Sequence, residues 1–87
     1  MPRRKGQRDP IAVAFGEAVR RARKDRGQTI EDVAGTIVRN RSDGTATTMD
    51  PKYLSSIENG WHSPTIVTAK LIADALDVSL STLTKDL

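Results

Sequence analysis

Cysteine is absent from this 87-residue chain, which excludes disulfides and thiolate metal sites. Histidine occurs once, at His62, so multi-histidine metal sites are excluded too. Aromatic residues make up only 3% of the chain, so a core has to be assembled from Ile, Leu, Val and Ala. No apolar run approaches the length of a bilayer crossing, and no secretory hydrophobic segment follows the basic start. A cytoplasmic location and no membrane partner are therefore the default expectations. The chain also lacks a glycine-rich phosphate loop, a nucleophile–base pair close in sequence and a metal-ligand cluster. Asp25, Glu31, Asp32, Asp43 and Asp50 read as helix caps and surface charges. Neither an enzyme nor a cofactor is expected.

What is present is positive charge, unevenly placed. The net charge is +3. Arg3, Arg4, Lys5 and Arg8 fill the opening eight residues without an acid, and Arg20, Arg21, Arg23, Lys24 and Arg26 crowd the next segment. The second half is nearly balanced. A basic surface on one side suits phosphate binding.

At this size the chain is one small domain. Residues 1–8 show no apolar period and read as a flexible basic arm, either a solubilising tail or a segment that follows phosphates or enters a minor groove. Residues 9–87 form the domain. Asp9-Pro10 opens a first helix over about 10–26, with Ile11, Phe15, Val19 and Ala22 on one face and Gly27 as its stop. Thr29-Ile30-Glu31-Asp32 resembles a capping box. Ile30, Val33, Ala34, Ile37 and Val38 then give the strongest helical period in the chain, predicting a helix over 30–39. Residues 40–49 contain a Ser-Asp-Gly turn signal and read as an exposed loop. Ser63-Pro64 predicts a helix over 64–76, with Ile66, Ala69, Ile72, Ala73 and Leu76 inward, and Ser79 caps a last one over 80–86. Val78 and the scattered threonines are too isolated to suggest a sheet. The expected fold is all-α, with five helices.

The stretch around which the rest is organised is Met49 to Gly60. Asp50 can cap, Pro51 fits the first helical position and Gly60 can end the helix, which predicts a helix over 51–59. Leu54 and Ile57 are its inward residues. Lys52, Tyr53, Ser55, Ser56 and Asn59 face outward, with no acid among them. Such a helix suits insertion into a groove of DNA. Trp61 is expected to pack over the core edge, and His62 to be exposed or hydrogen-bonded to phosphate.

In their order and spacing, several pieces are similar to the helix-turn-helix domains of phage repressors and Cro, the XRE-type family. They are Gly27, Val33-Ala34, Ile57-Glu58-Asn59-Gly60, Ser63-Pro64 and Leu76-Asp77-Val78-Ser79-Leu80-Ser81-Thr82-Leu83, and the likeness covers about residues 11–87. It implies a lambda-repressor-like fold in which the helix over 51–59 enters the major groove of double-stranded DNA. Lys52, Tyr53 and Ser56 are then at base-contact positions, Ser55 near the backbone and Asn59 at a phosphate position. It also implies a structural ion pair between Glu58 and Arg23. Two departures stand out. Ala34 to Asp50 spans sixteen positions, roughly ten more than a helix-turn-helix turn requires. That insertion carries Arg39 and Arg41, which could reach the DNA backbone or a partner subunit, or be inert. Ile30 stands where many relatives place a polar phosphate-binding residue.

A sequence-specific transcriptional regulator, a repressor, is the function this implies. A module of this size buries little surface, so a homodimer on a two-fold-related site is expected. Leu80, Leu83 and Leu87 serve either that contact or the internal core. The alternative is a protein-interaction module on the same fold, an antitoxin or accessory regulator with a protein partner. It would need an apolar centre on the outward face of the helix over 51–59.

Overall fold

A computed structural model describes residues 8–87. Five helices surround one core: α1 (Pro10–Asp25), α2 (Ile30–Thr36), α3 (Pro51–Glu58), α4 (Ile66–Ala75) and α5 (Leu80–Thr84). Between α2 and α3 stands a two-stranded antiparallel ribbon of β1 (Val38–Asn40) and β2 (Ala46–Thr48). The fold is therefore mostly helical, and the strictly all-α expectation needs this one amendment. No helix among the described residues is long and apolar enough to cross a membrane.

Local chemistry explains most helix starts. The Asp9 carboxylate accepts from the Ile11 N–H at 2.8 Å, and Pro10 follows it. Arg23 and Lys24 lie in the last turn of α1, where the helix dipole favours cations. Gly27 then takes a left-handed φ of 67°. At α2, the Thr29 N–H donates to Asp32 Oδ2 at 3.0 Å, and the Asp32 N–H donates to Thr29 Oγ1 at 3.1 Å. This reciprocal capping box has Asp where Glu or Gln is usual.

The bond from the Thr29 N–H holds the Asp32 carboxyl below its ordinary value of 3.8. A folded value below the unfolded one gives stability that is present above the unfolded pKa and lost as pH falls through the folded one. Asp32→Ala should therefore lower the thermal midpoint at neutral pH, and the gap from the wild type should close in strong acid. A gap that stays constant with pH would mean the carboxylate charge has no part in the cap.

Three expectations are corrected. First, α2 ends at Thr36 and not near residue 39, because Ile37 is extended (φ −91°, ψ 110°). A β-branched pair such as Ile37-Val38 satisfies a strand as well as a helix. Here pairing decides: Val38 faces Thr48, Arg39 faces Thr47 and Asn40 faces Ala46. Second, residues 40–49 are not a plain loop. Their Ser-Asp-Gly signal forms the tip of the ribbon, where Asp43 Oδ1 accepts from the Thr45 N–H at 3.0 Å and its hydroxyl at 2.7 Å. Third, α4 begins at Ile66 with Thr65 as its cap, not at Pro64 with Ser63. The Thr65 hydroxyl accepts from the Thr68 N–H at 3.2 Å. That start leaves Ile66 at the first helical residue, out on an open edge and 75% exposed, instead of inward.

The core joins Phe15 and Val19 of α1, Val33 and Ala34 of α2, Leu54 and Ile57 of α3, Ile72 and Ala73 of α4, and Leu83 of α5. Ile37 and Met49, on either side of the ribbon, are also buried, and the Met49 N–H donates to the Ile37 carbonyl at 3.0 Å. The ribbon is thus anchored at its base, while all six strand residues are exposed. α1 lies backbone to backbone against the end of α3. Gly16 leaves no room for a Cβ, which would lie 2.6 Å from the Glu58 carbonyl oxygen.

Candidate nucleic-acid interface

α3 divides its eight residues between core and surface. Asp50 caps it by accepting from the Lys52 N–H at 2.9 Å, and Pro51 occupies the first position. Leu54, Ile57 and Glu58 are buried. Lys52 is exposed, and Tyr53, Ser55 and Ser56 are half-buried. Asn59 is the exposed C-cap, and Gly60 turns the chain away with φ of 80°.

Glu58 is the one acid of α3, and it points inward at the helix end where the dipole disfavours a carboxylate. α1 supplies the cations that compensate. Arg23 donates from Nε to Oε2 at 2.7 Å and from Nη2 to Oε1 at 2.9 Å, the two-pronged geometry in which a guanidinium binds a carboxylate best. Arg20 Nε adds a bond to Oε1 at 3.3 Å. Arg23 Nη1 also donates to the Gln28 carbonyl at 2.9 Å. One guanidinium therefore joins the end of α1, the approach to α2 and the end of α3. Its hydrogen bonding to Glu58 raises the Arg23 pKa above the ordinary value.

Sequence reasoning singles out Arg23 but misses Arg20 and Arg8. Arg20 lies three residues before Arg23, so the two share one face of α1, and that spacing was the available signal. Arg20 Nη2 donates to Asn59 Oδ1 at 2.5 Å. Arg8 Nη1 donates to the Asn59 carbonyl at 2.9 Å, and its guanidinium sits 5.2 Å from the centre of the Trp61 ring. Both Asn59 oxygens are thus engaged, leaving its amide nitrogen as the donor for an outside ligand. Trp61 is 54% exposed, against the expectation that it packs on the core edge. Its backbone N–H donates to the Ser56 carbonyl at 2.9 Å after the left-handed turn at Gly60, which carries the indole outward under Arg8.

At the other end of α3, Tyr53 lies between two groups. The Arg39 guanidinium is 5.4 Å from its ring centre, and the exposed His62 ring is 5.6 Å away at 52°. Arg41 is exposed near the ribbon tip. Ile30, where a polar residue would be needed for phosphate, instead packs partly against the core. Arg3 and Arg4 lie outside the described residues. The structure thus brings Lys52, Tyr53, Ser55, Ser56 and Asn59 together on one helix, flanked by Arg39 at one end and by Arg8 and Arg20 at the other.

A family model described as helix-turn-helix matches residues 44–83, beginning inside the ribbon and running through α3, α4 and most of α5. Over these residues the chain is similar to the helix-turn-helix family. No curated protein matches the chain. Among solved structures, the chain is similar to the restriction-modification controller protein C.AhdI from Aeromonas hydrophila. The two share 26% identity over 83% of this chain and 94% of that one, with a TM-score of 0.67. The clp gene regulator ClgR from C. glutamicum shares 23% identity over 93% of this chain and 91% of its own, with a TM-score of 0.74. The controller protein C.Esp1396I, solved as a tetramer with its natural 35 base-pair operator, shares 24% over 90% of each chain, with a TM-score of 0.69. The ribbon stands between α2 and α3, and α2 precedes the matched residues.

Proposed function

We propose that this protein is a sequence-specific double-stranded DNA-binding transcriptional regulator, a repressor, that inserts α3 into the major groove. The outward face of α3 carries this reading: Lys52, Tyr53, Ser55 and Ser56, with Asn59 following, offer hydrogen-bonding groups and no acid. A lysine can donate to guanine O6 and N7, and serine pairs with several bases. A protein-binding face would be apolar at its centre, and this one is not. The likeness to controller proteins, one of them solved on its operator, points the same way.

A homodimer fits the same reading, since two copies on a two-fold-related site double a small footprint. Ile11, Pro64, Ile66, Leu80 and Leu87 line an apolar groove away from α3, with Leu87 53% exposed and Leu83 buried in the core. Leu87 and half-buried Leu80 are therefore the leucines available to a second copy.

The test is selection of binding sites from random duplexes, followed by affinity measurements on the enriched sequence and a scrambled one. Lys52→Ala and Ser56→Ala should each lose about 1–3 kcal/mol of discrimination between them. Failure to enrich any site, with negligible binding at low salt, would replace DNA by a protein partner.

A further inference from the structure

We propose that the β1–β2 ribbon is a second nucleic-acid contact, a clip that grips the phosphates of one DNA strand beside the groove read by α3. The proposal rests on the DNA-binding reading of α3. All six strand residues are exposed, so packing does not account for what they are. The chain already closes beneath them, where the Met49 N–H meets the Ile37 carbonyl and both side chains enter the core.

Alternation along the strands sorts the side chains. Arg39 and Arg41 share one face with Thr47, which pairs with Arg39, and with Thr45, whose carbonyl accepts from the Arg41 N–H at 2.7 Å. Val38, Asn40, Ala46 and Thr48 take the other face. The Arg39 guanidinium lies over the Tyr53 ring, so the arginine-bearing face adjoins the first turns of α3. A donor surface therefore runs without a break from Lys52 and Tyr53 onto the ribbon. The ribbon's acid, Asp43, already accepts twice from Thr45 at the tip.

Arg41 makes no side-chain hydrogen bond or ion pair with any described residue, so its forked donors remain for an outside anion. Two residues along a strand span about 6.6 Å, comparable to the spacing of successive phosphates on one DNA strand. An acidic protein surface would also attract arginines. Phosphate is favoured because the same face continues into the α3 surface and presents hydroxyls, not apolar side chains.

The experiment uses the full chain and a selected duplex beside a scrambled one, with affinity followed as a function of salt. The wild type is compared with Arg41→Ala, with the Arg39→Ala/Arg41→Ala double variant and with Lys52→Ala. The slope of log affinity against log salt should become shallower by about 0.9 for Arg41→Ala and by about 1.8 for the double variant. Their losses of affinity should be equal on the two duplexes. Lys52→Ala should instead reduce the preference for the selected one. Thermal unfolding of the Arg41→Ala variant should match the wild type, since its exposed side chain makes no hydrogen bond or ion pair with a described residue. An unchanged slope in the double variant, with the wild type and Lys52→Ala behaving as expected, overturns the clip alone. A wild type that binds neither duplex overturns both this proposal and the reading on which it rests.

Discussion

Glu58→Ala is expected to remove about 3–5 kcal/mol of stability, a loss typical of breaking a buried ion pair from one side. The carboxylate is 1% exposed and holds three bonds from two arginines. Deleting it strands the Arg23 guanidinium, whose side chain is only 11% exposed, against the helix end it was placed to meet. Small domains have about 5–15 kcal/mol in total, so the variant should unfold at much lower denaturant. Glu58→Gln should lose less, because one acceptor remains. The Arg23 pKa is raised on folding, so its contribution is fully present below its unfolded pKa and fades only as pH rises through the still higher folded value. Neutral solutions lie well inside that range. Chemical denaturation of the three proteins decides the matter: a loss below about 1 kcal/mol for the alanine variant would place this pair with exposed ones.

Gly16→Ala should be comparably damaging, despite alanine's advantage of about 1 kcal/mol in helix propensity. The added methyl would lie 2.6 Å from the Glu58 oxygen and 2.8 Å from its carbonyl carbon, and would also strike the Ile57 oxygen. These are backbone atoms and cannot rotate aside. Either α1 separates from α3 or α3 tilts, and overpacking of this kind costs about 1–3 kcal/mol or more. Because the displaced element carries Lys52 and Ser56, duplex affinity should fall together with stability. Gly35→Ala is the control. Gly35 is helical, and an added Cβ meets nothing within 4 Å. It should gain about 0.5–1 kcal/mol. If both substitutions stabilised the protein, the close approach of α1 and α3 could not be as described.

The local features are legible in the sequence, because the interactions concerned span only two or three residues. The caps at Asp9, Thr29, Asp50 and Ser79 form within single turns, and Gly27 and Gly60 adopt the left-handed backbone their positions called for. Arg23 and Glu58 were matched through the family pattern, although 35 residues separate them. The end of α2 was not legible. Ile37 and Val38 continue a helical period, but their extended shape is set by partners ten or so residues on, which a window on the sequence does not see. The start of α4 was ambiguous for a different reason. Ser63 and Thr65 are both competent caps flanking Pro64, and in the fold Thr65 takes the role, with Thr68 and Ala69 buried one turn on.

The sequence by itself determined the order of the helices, every cap but that of α4, the one-sided positive charge and the polar face of α3, since composition and short-range hydrogen bonding fix these. Tertiary structure alone decided that the insertion is a ribbon and that its arginine face adjoins Tyr53. It also decided that Arg20 and Arg8 clasp the end of α3 while Trp61 stays outside the core. Each of these depends on residues brought together from distant parts of the chain, and neither periodicity nor propensity carries the distance between them.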